Sequence, residues 1–87
     1  MVIKTSIADF ILIAEQIASS SKYPEDRQIA EKFIARMAPL LARLEVSNDL
    51  SDSMIEPLDK FLSNFWMRSE TDYQRLMKKW DEIKRQV

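Results

Sequence analysis

The chain contains no glycine, and this absence constrains its fold and function more than any motif that is present. Walker loops and the dinucleotide-binding fingerprint both need glycines at fixed positions, so both kinds of nucleotide site are excluded. The absence of glycine and the helical spacing of the apolar residues together favour helices over strands. We therefore predict an all-α protein.

Cysteine and histidine are also absent. Without cysteine, the chain can have no disulfide, thiol nucleophile or thiolate metal site. Without histidine, it lacks the commonest metal ligand and the side chain best suited to acid–base chemistry at neutral pH. Carboxylates or lysines alone could still catalyse a reaction, but no converging pair of acids is visible in the sequence. We therefore predict a protein that is not an enzyme and that binds no metal and no cofactor.

Length and composition fit one small globular domain. Apolar residues make up 46% of the 87 residues and charged residues 31%. The longest apolar run, residues 10–14, is far shorter than the roughly 20 residues of a membrane span, and the N-terminus does not resemble a secretion signal. The net charge of −1 argues against a dedicated nucleic-acid binder. These features predict a cytoplasmic protein that does not span a membrane.

Apolar periodicity predicts four amphipathic helices, at residues of about 6–19, 24–46, 53–67 and 70–86. Ser6 suits the N-cap of the first helix, and Pro24 suits the first position of the second. The apolar stripe continues in phase through Pro39, so we expect a single second helix, kinked near Pro39. Short connections favour an antiparallel up-down four-helix bundle, and a swapped or intertwined dimer of helical hairpins is the structural alternative.

The apolar run in the first helix is wider than one core-facing stripe. On a helical wheel, Phe10, Ile11 and Ala14 share the core face, Ile13 flanks it, and Leu12 falls on the opposite side. A single exposed leucine is common in proteins and needs no explanation. Two adjacent apolar residues outside the core arc nevertheless make Leu12 and Ile13 a candidate surface for a dimer or another partner.

A second candidate surface lies where the third helix meets the fourth. Trp66 sits at the edge of its apolar face, just before a turn, and with Met67 and Tyr73 it could form a half-exposed patch. Aromatics at helical spacing are more often core residues. Because tryptophan and tyrosine are enriched in interface hot spots, we also predict that this corner contacts a partner.

The fourth helix has a basic side that includes Arg75, Lys78 and Lys79. Such a side could bind phosphate, nucleic acid or anionic lipid. Glu82 lies among these cations and weakens any field of a single sign, and acids in the same helix can form local ion pairs with them. We favour a solvated face with local pairs, and we expect that nucleic acid is not the partner.

The order of helices and connecting segments resembles that of a known protein family. "KYPED" at residues 22–26 precedes a long second helix, "SMIEPLDKFLSNFWM" spans residues 53–67, and "SETDYQRLMKKWDEI" spans residues 69–83. This order, over nearly all of the chain, is similar to that of the small immunity proteins that accompany pediocin-like bacteriocins of lactic acid bacteria and streptococci. The resemblance implies a cytosolic antiparallel four-helix bundle that protects the producing cell from its own bacteriocin.

In that family, the protein is thought to recognise the bacteriocin-engaged mannose phosphotransferase permease from inside the cell, and the C-terminal half carries much of the specificity. By position, the resemblance gives weight to the corner from Trp66 to Tyr73 and to the basic side of the fourth helix. It leads us to expect a monomeric immunity protein with a protein partner and no small-molecule substrate.

Two other classes of function stay open at this point. One is a homodimeric helical regulator, chaperone or adaptor with Leu12 and Ile13 at its dimer seam. The other is a nucleic-acid-associated regulator that uses the fourth helix. Light scattering separates the first from a monomer, and duplex binding with steep salt dependence identifies the second.

Overall fold

The structure is a computed structural model that describes residues 2–47 and 52–86. It has four α-helices, α1 Val2–Ser20, α2 Pro24–Ser47, α3 Asp52–Ser63 and α4 Glu70–Arg85. Every regular element in the described ranges is a helix, which confirms the predicted all-α class. None of the helices in these ranges is both long and apolar enough to cross a membrane.

Contacts along α1 show that both of its neighbours run antiparallel to it. Lys4, near the start of α1, lies 3.9 Å from the carboxylate of Glu45, near the end of α2. Gln16, near the end of α1, accepts a hydrogen bond of 3.1 Å from Arg75, near the start of α4. The first helix therefore packs between α2 and α4, with both running in the opposite direction.

Two aromatic side chains, Phe61 in α3 and Phe65 just after it, give the direction of α3 relative to α2. The ammonium of Lys32 lies over the ring of Phe65, and the guanidinium of Arg36, one turn further along α2, lies over Phe61. The later residue of α2, Arg36, thus contacts the earlier aromatic residue, Phe61. The two helices are therefore antiparallel. With the pairs that involve α1, this confirms the predicted up-down four-helix bundle.

Phe33 of α2 connects the helices at the centre of the core. Its ring centroid lies 6.3 Å from that of Phe10 in α1, 6.1 Å from that of Phe61 in α3 and 5.7 Å from that of Phe65, just after α3. Phe10 in turn meets the edge of the Trp80 ring of α4 at 6.3 Å. Ring pairs of this kind contribute about 0.5–1.5 kcal/mol each beyond the area they bury. All four helices thus share one aromatic core.

The second helix is continuous through Pro39, as predicted. Pro39 is exposed, so the proline ring takes no space from the core. At about 1.5 Å per residue, the 24 residues of α2 span roughly 36 Å, which matches the 37 Å length of the molecule. The kink near Pro39 stays a prediction.

The first helix begins at Val2 and not at residue 6, so the prediction of Ser6 as its N-cap is wrong. Ile3 and Ile7 are both buried, and their spacing extends the apolar stripe by one turn. Ser6 lies inside the helix, where its buried hydroxyl accepts a hydrogen bond of 3.0 Å from the side-chain amide of Gln86. Burial of Ile3 therefore outweighs the local preference of serine for a cap.

The third helix ends at Ser63, so the predicted end at residue 67 is also wrong. The backbone N–H groups of Asn64 and Phe65 donate to the carbonyls of Phe61 and Leu62, each three residues back, at 3.2 Å and 3.3 Å. This shorter spacing closes the helix with a tight final turn. The chain then crosses residues 64–69, hereafter the α3–α4 connection, before α4 begins.

Candidate protein-binding site

A buried carboxylate holds the α3–α4 connection against α2. Asp26, in the first turn of α2, has no exposed surface. Its two oxygens accept hydrogen bonds from the backbone N–H groups of Arg68, at 2.8 Å, and Ser69, at 2.9 Å. Burial of a carboxylate is unfavourable unless hydrogen bonds replace its water, and the N-terminal end of a helix adds a favourable field. Asp26 therefore fixes the path of the chain just before α4 begins.

Ser69 is fixed by its backbone and by its side chain. While its N–H donates to Asp26, its hydroxyl accepts a bond of 3.4 Å from the N–H of Asp72. Ser69 is thus the N-cap of α4. The start of α4 and the start of α2 are joined through a single residue.

Trp66 and Met67 are neighbours in the α3–α4 connection but lie in opposite environments. The side chain of Met67 is 1% exposed and belongs to the core, so its predicted place in a partner-binding patch is wrong. Trp66 is 78% exposed, far more than the half-exposure that its sequence position suggested. Phe65 packs against the core just before Trp66, and Met67 and the Asp26 bonds hold the backbone just after it, so Trp66 presents a large aromatic surface on a fixed support.

An open groove lies beside Trp66 and is called the corner groove here. It has a volume of about 560 Å³ and is lined by Tyr23, Glu25, Trp66 and Arg68. Arg68 and Glu25 form an exposed ion pair across it, with 2.8 Å between Nε and Oε2. The groove therefore combines two aromatic side chains with one charged pair. No local sequence pattern places Tyr23 and Glu25 beside Trp66.

A second groove lies between the end of α1 and the start of α4 and is called the polar groove. It measures about 480 Å³, and its lining consists of Gln16, Ile17, Ser20, Ser21, Lys22, Tyr23, Ser69, Asp72 and Arg75. The guanidinium of Arg75 lies across it, bonded to Gln16 and 3.6 Å from the carboxylate of Asp72. Tyr23 lines both grooves, so the two openings meet at this end of the bundle.

The other predicted residues of the two apolar surfaces lie outside these grooves. Tyr73 is half-buried and packs against the core, so little of it remains for a partner. Leu12 is 54% exposed, as the helical wheel predicts, whereas Ile13 is half-buried and packs against the core. Neither residue of α1 lines a groove.

The basic side of α4 is largely neutralised by acids. Lys79 donates a hydrogen bond of 2.8 Å to Glu82, and its ammonium lies 3.9 Å from Asp9 of α1. The bond to Glu82 raises the pKa of Lys79, and it lowers the pKa of Glu82. Lys78 is exposed one turn before Glu82. These local pairs are the arrangement that we favoured over a single-sign binding face.

Asp26 is a residue of the site whose burial was not predicted, although one sequence signal indicates it. Its position lies 4, 7 and 11 residues before Ala30, Phe33 and Met37, all of which are fully buried. Asp26 is therefore in phase with the core stripe of α2. An acid in such a position needs a buried partner, but its position alone does not say which chain segment supplies it.

No family model, curated protein or solved structure matches the chain. Within residues 2–47 and 52–86, no group of three acidic side chains converges to hold a metal ion. The site thus consists of one displayed tryptophan, two grooves and the buried carboxylate that holds them together.

Proposed function

We propose that this protein is an immunity protein against a pediocin-like bacteriocin, acting in the cytoplasm without catalysis. It would protect the producing cell by contacting the toxin-engaged membrane receptor from the cytosolic side. The observation that carries the proposal is the 78% exposure of Trp66 on a backbone held by Asp26 and Met67. The family resemblance gives weight to the same corner.

The composition of the corner groove supports a protein partner. Tryptophan, tyrosine and arginine are the residues most enriched in interface hot spots, and Trp66, Tyr23 and Arg68 lie together here. A rigid support lowers the entropy that an aromatic side chain loses on binding. Arg75 extends this surface into the polar groove, so a partner that covers Trp66 could also reach the start of α4.

A homodimer built on α1 is the less favoured arrangement. Leu12 is exposed, but Ile13 turns half of its surface into its own core, so the apolar area open to a second copy is small. We therefore propose a monomer. Light scattering that gives twice the chain mass, and the single mass for Leu12→Glu, would favour the dimer.

A protection assay tests the proposed function. The chain is expressed inside a bacteriocin-sensitive Gram-positive host, which is then challenged with a panel of pediocin-like peptides. We expect survival against one or a few of these peptides, compared with a host that carries the empty vector. Uniform killing, with the protein shown to be folded and abundant, would contradict the proposal.

Arg75→Glu tests whether the polar groove belongs to the binding surface. We expect this variant to lose protection while its helical circular dichroism stays unchanged, because Arg75 is exposed and its bonds to Asp72 and Gln16 lie at the surface. Lys78→Glu is the matched control, since it reverses the same charge on the same helix outside both grooves. Full protection by Arg75→Glu would remove the polar groove from the site.

A further inference from the structure

Two cations of α2 lie over two aromatic rings, Phe61 of α3 and Phe65 of the α3–α4 connection, and none of these residues lines a groove. The guanidinium carbon of Arg36 is 4.4 Å from the centroid of Phe61, and the ammonium of Lys32 is 5.3 Å from that of Phe65. The cations are one turn apart on α2, and the centroids of the two rings are 5.0 Å apart. These four residues are called the cation–aromatic face.

No acid neutralises these cations in the part of the chain that the structure describes. Neither Lys32 nor Arg36 takes part in an ion pair there. The positions three and four residues from each cation, where a helix places its side-chain neighbours, hold no acid. Asp59 of α3 is turned to α4, where it bonds to Trp80 and Lys84.

This arrangement is unfavourable for the isolated protein and favourable for an anionic ligand. Like charges one turn apart destabilise a helix, and here no described acid relieves the repulsion. The rings attract both cations, and the guanidinium carbon of Arg36 lies over the ring of Phe61. A guanidinium has five N–H donors in a planar fork, and a carboxylate can accept two of them at once.

We propose that the cation–aromatic face binds an acidic protein segment with two carboxylates one helical turn apart. The two cations match that spacing, and the guanidinium fork matches a carboxylate in direction as well as charge. Lipid surfaces and nucleic acids bind in proportion to the number of cations, and two cations on a chain of net charge −1 suit neither. None of the four residues lines either groove, so this proposal is independent of the immunity function.

The test is a titration of the full chain, followed by nuclear magnetic resonance, with an alanine-rich helical peptide that carries two glutamates four residues apart. We expect saturable shifts of the Arg36 Nε–H and of the Phe61 and Phe65 ring signals, and we expect salt to weaken the binding. Arg36→Gln should weaken it about fivefold, and the double variant Lys32→Gln/Arg36→Gln should abolish saturable binding.

Lys78→Gln is the matched control, because it removes one exposed cation that has Glu82 one turn away. It should leave the affinity for the peptide unchanged. Three results would overturn the proposal: no shift of the Arg36 and ring signals, equal binding of the peptide with glutamines in place of glutamates, or equal weakening by Lys78→Gln. Preferential binding to phosphatidylserine vesicles, lost in the double variant, would assign the face to a lipid surface instead.

Discussion

Two aspartates join distant parts of this bundle, and they do so in different ways. Asp26 is fully buried and accepts two backbone N–H groups, from Arg68 and Ser69. The side chain of Asp59 is 43% exposed, and one of its oxygens accepts the indole N–H of Trp80 at 2.8 Å and the ammonium of Lys84 at 3.2 Å. Asp26 therefore holds the path of the chain, whereas Asp59 holds two side chains.

The difference in burial determines whether water can replace each carboxylate as a hydrogen-bond acceptor. Water can reach the half-exposed carboxylate of Asp59. When Asp59 is replaced, water can therefore accept hydrogen bonds from Trp80 and Lys84 in its place. Water cannot easily reach the buried oxygens of Asp26, and two backbone donors would be left without an acceptor. The corner that displays Trp66 should therefore depend on Asp26 far more than the packing of α3 on α4 depends on Asp59.

Asp26→Ala should have the largest effect on stability. Each buried donor left without a partner costs about 1–3 kcal/mol, so we expect a loss of about 3 kcal/mol in the free energy of unfolding. Urea denaturation measures this loss. Glu25→Ala is the matched control, because it removes the neighbouring acid, whose exposed pair with Arg68 is worth under about 1 kcal/mol. Equal losses in the two variants would show that the Asp26 bonds are unimportant.

Asp59→Ala should have a smaller effect. The Trp80 ring is 1% exposed, and its indole N–H would lose its partner, but the site is open enough for water to help. We expect a loss of about 1 kcal/mol in the same urea measurement. Asp81→Ala is the control, since Asp81 also pairs with Lys84, at 3.4 Å, but is the more exposed of the two acids. A loss as large as that of Asp26→Ala would contradict the comparison.

The pH dependence of the free energy of unfolding tests whether Asp59 acts as a carboxylate. We expect this effect to be smaller than those of the two alanine substitutions. The hydrogen bond from Trp80, followed by the bond and charge of Lys84, lowers the pKa of Asp59 below its usual value of about 3.9. Because the folded-state pKa is the lower one, the stabilisation is fully present above about pH 4 and is lost as the pH falls through that folded-state pKa. The stability difference between the wild type and Asp59→Asn should therefore narrow only below about pH 4.

Urea midpoints at a series of pH values measure that difference. Asp81→Asn, measured in the same way, controls for the general loss of surface charge. A difference between wild type and Asp59→Asn that narrows as the pH rises, or that stays constant well below pH 4, would show that Asp59 is not stabilised as a carboxylate.

Local signals explain which features of the fold were predictable. The apolar period identified four helices, and Pro24 marked the start of α2 correctly because its effect is confined to one turn of the backbone. The apolar pattern alone would continue α3 through Trp66, so its end at Ser63 was missed. The path of the chain after α3 is held by Asp26, which lies more than forty residues before its partners Arg68 and Ser69.

The candidate site shows the same limit. Sequence reasoning selected Trp66 and Arg75, but it could not place Tyr23 beside Trp66, since that neighbourhood depends on two separate connections meeting at one end of the bundle. It also selected Met67, because a methionine next to an exposed tryptophan has no local feature that marks it as buried. The stacking of Arg36 on Phe61 was missed for a related reason, as it depends on the register between α2 and α3.

We propose that the corner held by Asp26 displays Trp66 to a protein partner. The most direct test compares protection by Trp66→Ala and Leu12→Ala in the same sensitive host, at matched protein levels and with matched helical circular dichroism. Both variants remove an exposed apolar side chain, but only Trp66 lines a groove. We expect Trp66→Ala to lose protection and Leu12→Ala to keep it, whereas full protection by Trp66→Ala would exclude this corner as the binding surface.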